Sequence, residues 1–260
     1  MKASRTAVNW IGLGTIVRRE LKRFRRSPLQ PFLLPWVMAL LFIFTFGFVV
    51  GSRVPNLAGH SYLEFVLPGI LMVSLIHASF MQSASQLFFS RFLRFIEETL
   101  VAPLSHAEMI AGTLAAVFLR ALVTAAGILL IGAAFGVTSI HNLAGFVFWL
   151  TAISMLFGLL GIVVGLWAQS FEQLSGLMVF FISPLSMVGG VFNTVEMLPA
   201  KLRWLALGNP LYYFIDGLRD SMIGFGGRSA VIDVSLMSAL LLALTAIVWK
   251  MYSAGYGLRA

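Results

Sequence analysis

The chain has 260 residues, 59% of them hydrophobic and 11% charged, with a net charge of +8 and a mean hydropathy of +0.94. A soluble domain carries about 25% charged residues, and several apolar runs here exceed the ~18 residues that cross a hydrocarbon core of about 30 Å, so a soluble protein is excluded. The chain has no Cys, which removes disulfides, iron–sulfur clusters and thiolate metal sites.

The basic balance does not signal nucleic acid, because eight of the 18 Lys and Arg residues fall in the first 26 positions, where they orient a membrane protein. Residues 1–30 set Lys2, Arg5, Arg18, Arg19, Lys22, Arg23, Arg25 and Arg26 against the single acid Glu20. Val17, Leu21 and Phe24 form a narrow apolar stripe among them, the pattern of a helix lying on an anionic leaflet. The apolar run that follows is too long for a cleaved signal peptide, and no small-x-small site ends it. This segment serves either as a bare positive-inside anchor or as a contact for a cytosolic partner.

Six transmembrane helices are expected, at 32–50, 64–89, 108–135, 143–168, 174–192 and 231–249. Pro184 and Gly189-Gly190 interrupt the fifth. An even number places both termini on one side. Twelve Lys and Arg flank that side and five the other, so the positive-inside rule puts both termini in the cytoplasm. The fold class is an all-α polytopic membrane protein, one transmembrane domain over 1–260.

Between the second and third helices, on the cytoplasmic side, lies the charged stretch from Arg91 to Glu108. Phe92, Phe95, Ile96 and Leu100 recur at helical spacing, while Arg91, Arg94, Glu97 and Glu98 take the other positions. Pro103 stops that helix, and Ser105 with Glu108 reads as a capping box opening the next. A short helix over 91–102 is expected across the ends of two spans. It either seats the bundle in the headgroups or takes a push from something soluble.

The segment 193–228 is long for a loop and too apolar for disorder. One short helix is expected over 198–207, broken by Gly208. Asn209-Pro210 then opens another, with Asn as N-cap and Pro at the first helical position. Asp216, Arg219 and Asp220 stand at i, i+3 and i+4, so both acids can reach the one Arg. The pattern predicts a helical hairpin dipping into the outer leaflet, acting as a cap or as a gate.

No P-loop, zinc-protease or serine-nucleophile motif occurs, and His60, His77, His106 and His141 show no ligand spacing. The chain reads as non-enzymatic, without a cofactor of its own. Arg120 is the one clear ionisable residue inside a span; it is either a functional charge or a structural one satisfied by helix-end carbonyls or by Gln82 or Gln86. A proton-driven carrier needs a carboxylate near the midplane, and the six spans have none there. Phe42 and Phe46 share one face of the first span, Phe44 and Phe48 another; they line a path for sugars or lipids or simply face lipid.

With Tyr62-Leu-Glu-Phe-Val-Leu-Pro-Gly69, Arg94-Phe-Ile-Glu-Glu-Thr-Leu-Val-Ala-Pro-Leu-Ser105 and Asn209-Pro-Leu-Tyr-Tyr-Phe-Ile-Asp-Gly-Leu-Arg219, the chain resembles the ABC-2 type transporter permeases. It looks closest to the branch of nodulation-factor and drug exporter permeases. The resemblance covers nearly the whole chain and implies half of a transmembrane domain in the bacterial inner membrane. It implies a second copy paired through spans one and five, and a cytosolic ABC ATPase subunit that holds ATP and Mg. That ATPase would dock on the 91–102 coupling helix, through Arg91, Arg94, Phe95, Glu97, Glu98 and Leu100, and on the 1–30 connecting helix. The 193–228 hairpin, with Asn209, Pro210, Asp216, Arg219 and Asp220, would be the outer re-entrant gate. The implied cargo is a glycan, glycolipid, lipid or drug-like molecule. Two other classes stay open: a stand-alone anion carrier or channel using Arg120, and a membrane scaffold.

Overall fold

The computed structural model describes residues 14–15, 18, 22, 32–51, 53, 56–57, 59–95, 105–137, 140–197, 199, 201, 203–226 and 229–257. The helix expected over 1–30 lies almost wholly outside these residues, as do Glu97, Glu98 and Leu100.

Among the described residues, five helical stretches are long and apolar enough to cross a membrane. They are α2 (Tyr62–Phe92), α3 (His106–Ala134), α4 (Leu143–Trp167), the composite Phe171–Val188, and α9 (Ala230–Ala254). The first expected span is shorter: α1 (Leu34–Phe44) opens with Pro35 in its first turn and widens into π-helical turns over Thr45–Val50. The composite is α5 (Phe171–Leu177), a π-helical stretch Met178–Ile182, and α6 (Ser183–Val188). Its irregularity falls where Pro184 removes a backbone donor.

The starts of α2 and α3 are built alike. Ser61 and Ser105 each accept the amide of the residue three ahead, and Glu64 and Glu108 reach back to the cap amide at 2.9 and 2.7 Å. These capping boxes satisfy amides that the helix cannot. Ahead of α2, the expected polar turn is a small ribbon, with β1 (Asn56–Leu57) antiparallel to β2 (His60–Ser61) around Gly59 at φ +89.

Helix α2 is the axis of the molecule. Val66, Leu71, Met72, Leu75, Ile76 and Phe80 are fully buried along it. Its closest neighbour is α4, and glycine sets the distance. A Cβ on Gly161 would lie 2.5 Å from the Phe80 carbonyl oxygen, and one on Gly165 would lie 2.8 Å from that of Ala84. In lipid, helices gain little from hydrophobic exclusion and associate through such small-residue contacts. The Ser83 hydroxyl, donating to the Gly158 carbonyl at 2.7 Å, ties the same seam.

Of the helix expected over 198–207, the described residues show α7 (Arg203–Leu207), preceded by a 3-10 turn at Val195–Met197; residues 198, 200 and 202 lie outside the described ones. Helix α8 (Pro210–Ile223) follows, with Leu211, Phe214, Ile215, Leu218 and Met222 buried. It ends at Gly224, whose φ of +68 closes the helix in the left-handed region.

Candidate functional site

Three polar stations lie along α2: one near its start, one at its middle and one at its end.

At the first station, Asn209 caps α8 by accepting the Leu211 amide at 3.0 Å, and its side-chain amide donates to the Leu185 carbonyl at 2.6 Å. The next residue is Pro210, at the first helical position. Two turns on, Arg219 is 3% exposed. Its Nε donates to the Phe65 carbonyl of α2 at 3.2 Å and one terminal nitrogen donates to the Gly190 carbonyl at 2.7 Å. The guanidinium also lies 3.8 Å from the centre of the Phe65 ring, a stacking arrangement that attracts a cation. Burial works against its charge, and Asp216 and Tyr212 work for it. Asp220, expected to share in this group, is exposed and lies beside Gly226 instead. The i+1 step from Arg219 carries it around the helix, away from the buried face. The cation is held by Asp216, two carbonyls and a ring.

Other bonds fix the same region. The Tyr62 hydroxyl donates to the Phe192 carbonyl at 3.0 Å, and the amides of His141 and Asn142 donate to the Met222 and Ser221 carbonyls at 2.9 and 2.8 Å. Gly217 lies flush on Trp149, where a Cβ would come within 2.1 Å of the indole. Phe42 and Phe46, which the sequence offered as a substrate path, stack on Phe192 with ring centres 5.7 and 4.3 Å away. In this structure they join α1 to the start of the hairpin.

At the middle, Arg120 donates to the Gln82 side-chain oxygen at 2.6 Å. The sequence left open whether Gln82 or Gln86 receives it; Gln82 does. Arg120 is fourteen residues from either end of α3, and His77 is fifteen from either end of α2. His77 is exposed. A turn to each side of Gln82 stand Ser79 and Gln86, and a turn from Arg120 stands Thr124. The Ser79 and Thr124 hydroxyls and the Gln86 side-chain oxygen are buried with no hydrogen-bond partner among the described residues. Each such atom costs about 1–3 kcal/mol. Trp36 of α1 donates to the Thr124 carbonyl at 3.3 Å and lies against Gly127, so α1 rests on α3 just above this cluster.

At the end of α2, Arg91 and Phe92 form its last turn rather than the start of a separate helix. Arg91 donates to the Gly165 and Ala168 carbonyls at 2.8 and 3.2 Å, satisfying oxygens that the end of α4 leaves open. The chain breaks at Arg94, whose φ is +58, and Phe95 follows, exposed. Phe88, Phe89, Phe92 and Phe171 stack together at this mouth, with Phe89 and Phe171 centres 5.7 Å apart.

Residues 12–223 match the family profile described as ABC-2 type transporter. The chain belongs to that family. It is 31% identical over 96% of its length, and 98% of the relative, to the "Inner membrane transport permease YadH" of Escherichia coli strain K12. It is 26% identical to "Nodulation protein J" of Rhizobium leguminosarum bv. trifolii, covering 84% of this chain and 82% of that one. The same protein of Rhizobium meliloti strain 1021 is 25% identical over 83% and 82%. This ABC-2 chain is therefore the multi-pass membrane subunit of an ABC transporter, and the resemblance read from the three motifs holds.

Proposed function

We propose that this chain is the permease half of an ABC exporter in a bacterial inner membrane, moving a glycan, glycolipid, lipid or drug-like molecule outward. Six spans and cytoplasmic termini complete the topology, with α1 and its π-helical extension as the first span. Two copies pair, and each takes a cytosolic ABC ATPase on the segment from Arg94 to Leu100, with Glu97 and Glu98 as the charged contacts. Arg91 belongs to the same device from behind, joining the inner ends of α2 and α4 so that a push on the loop reaches both.

One observation supports this reading above the others. The helix that runs into the cytoplasmic loop at Arg91 is the helix whose Phe65 carbonyl and ring hold the outer hairpin through Arg219. A single rigid shaft so connects the loop at one membrane face with the hairpin at the other. The "transport permease" name of the Escherichia coli relative points the same way.

The test is co-purification of the tagged chain with an ABC ATPase encoded beside it, followed by reconstitution and a screen for compounds that raise hydrolysis. ATP-dependent flux that disappears without the ATPase supports the exporter. Flux by the chain alone in liposomes overturns it in favour of a stand-alone carrier.

A further inference from the structure

We infer that an ordered water molecule is a structural ligand of this chain, bound where α2, α3 and α4 meet and shared by the hydroxyls of Ser79 and Thr124. The inference goes beyond the exporter reading and does not depend on it.

Two hydroxyls break a habit of this bundle. Ser83, Thr113, Ser154 and Ser186 are buried in apolar helices, and each donates to the carbonyl four residues back, at 2.7 to 3.1 Å. That bond lies within a helix's own reach and needs no neighbour. Ser79 and Thr124 are fully buried, yet neither makes it, and neither hydroxyl has a partner among the described residues. A hydroxyl stranded in a membrane interior is costly, so a side chain that turns from its own carbonyl is directed at something else.

The packing shows where both are directed. Arg120 donates to Gln82 at 2.6 Å, and a Cβ on Gly132 would lie 2.9 Å from the Leu67 side chain, so α2 and α3 run antiparallel and in contact. Ser83 donates to the Gly158 carbonyl at 2.7 Å, and a Cβ on Gly158 would lie 3.1 Å from Val117, so α4 closes a junction with both. Around α2, Ser79 stands between Gln82, which faces α3, and Ser83, which faces α4, about 60° from one and about 40° from the other. Around α3, Thr124 stands between Arg120, which faces α2, and Val117, which faces α4. Both hydroxyls therefore point into the junction. Ser79 is a turn before Gln82 and Thr124 a turn after Arg120, which on antiparallel helices is the same direction. Side chains tilt toward the start of their own helix, so these two lean toward one another. Ser154, a turn before Gly158, adds a third oxygen whose proton goes to Leu150.

Water complements this set. Two hydroxyls that do not meet directly, but lie within about one turn of each other, leave the gap that one water bridges. A buried water takes about two to four polar partners, and the hydroxyls can donate or accept while Ser154 offers lone pairs. The Gln86 side-chain oxygen, a turn to the other side of Gln82, is also buried without a partner and calls for a donor, which an anion cannot supply. The two seams of α2 then differ in kind. Toward α4 it is shut by glycines and a direct bond, and toward α3 it is bridged by a molecule that can trade partners.

The chain has no Cys, so one introduced thiol gives a lone S–H stretching band in its infrared spectrum. In the full-length chain in nanodiscs, Ser79→Cys and Thr124→Cys each read the site from one helix. Thr113→Cys, whose parent hydroxyl is bonded to Met109, is the reference for a thiol held by its own backbone. Both site thiols should show a band lowered by hydrogen bonding that converts to S–D in D2O, while the reference thiol resists exchange. Adding Thr124→Val to Ser79→Cys should raise the band and slow its exchange, although the two side chains share no direct bond. Thr124→Val alone should lower the melting temperature, and adding Ser79→Ala should lower it no further, since a shared water is lost only once.

A site thiol with the frequency of an unbonded S–H and no exchange overturns the inference. The junction is then dry, and Thr124→Val raises the melting temperature by removing a stranded hydroxyl. A bonded band that does not exchange assigns the thiol to a protein carbonyl and overturns it as well. So does a Ser79→Cys band indifferent to Thr124→Val, or one that moves when chloride is replaced by bromide, which names an anion instead. No measurement involves the ATPase, so the site and the exporter reading fail separately.

Discussion

Replacing Arg219 by methionine keeps the stem and removes the charge. The guanidinium holds two carbonyls, at 3.2 and 2.7 Å, and the Phe65 ring at 3.8 Å, while Asp216 beside it is 5% exposed. Bonds from a charged donor contribute about 1.5–3 kcal/mol each, and removing one partner of a buried charge pair costs about 3–5 kcal/mol. These describe overlapping parts of one loss, so the expected destabilisation is on the order of 3–5 kcal/mol. At roughly 2–4 °C per kcal/mol for a chain of this size, Arg219→Met should lower the melting temperature of the detergent-solubilised protein by at least about 6 °C. Adding Asp216→Leu removes the stranded acid and should recover at least half of the loss, because a buried pair replaced by apolar groups is often near neutral. With the ATPase bound, the single variant should also hydrolyse ATP faster without substrate, since the hairpin is no longer tied to α2. A melting temperature within about 2 °C of the parent, with basal hydrolysis unchanged, would refute the assignment of Arg219 as the latch.

Three further outcomes are expected. Gly217→Val drives a side chain into Trp149, where even a Cβ comes within 2.1 Å; overpacking of about 1–3 kcal/mol or more should appear as reduced folded yield by size-exclusion chromatography, whereas Gly176→Ala, whose Cβ would meet only the Phe180 ring at 3.9 Å, should cost far less. Glu97→Lys with Glu98→Lys should leave the chain folded and inserted but weaken ATPase retention about tenfold or more in a pull-down, at roughly 1.5–3 kcal/mol per charged contact; undiminished retention and transport would remove these residues from the docking surface. Arg91→Ala should keep the ATPase bound while lowering substrate-stimulated hydrolysis, because the α4 carbonyls at 165 and 168 lose their donor; unaltered stimulation would show that the joint between α2 and α4 transmits nothing.

Much of this architecture was legible because it depends on local rules. Ser105 with Glu108 and Asn209 with Pro210 mark helix starts wherever they stand, and both open helices here. The apolar residues of α8, Leu211, Phe214, Leu218 and Met222, follow a 3.6-residue period that needs no tertiary partner to be read. Tertiary contacts are of another kind. Asp220 has the spacing of a second partner for Arg219, but spacing does not report that two carbonyls and an aromatic ring already surround that cation. Phe42 and Phe46 share a face as the period requires, and Phe192, distant in sequence, decides what that face touches. Span one was read by hydropathy as equal to the others; hydropathy is blind to the π-helical widening over Thr45–Val50.

The placement of these stations limits how the molecule can move. The hairpin is bonded to α2 through Arg219, to the start of α4 through the amides of His141 and Asn142, and is pressed on Trp149 through Gly217. At the other end, Arg91 joins α2 to the end of α4. Helices α2 and α4 are thereby fastened near both ends, with α8 joined to them at one, and the glycine contacts at 161 and 165 leave α2 and α4 little room to slide. A close-packed unit of this kind shifts as a body. Apolar faces stay exposed on three elements around this unit: Leu34 and Leu41 of α1, Val179, Phe180 and Phe181 of the broken helix Phe171–Val188, and Val231, Leu242 and Trp249 of α9. Under the exporter reading, opening a path displaces elements of this set against the fixed shaft rather than swinging the hairpin on its own.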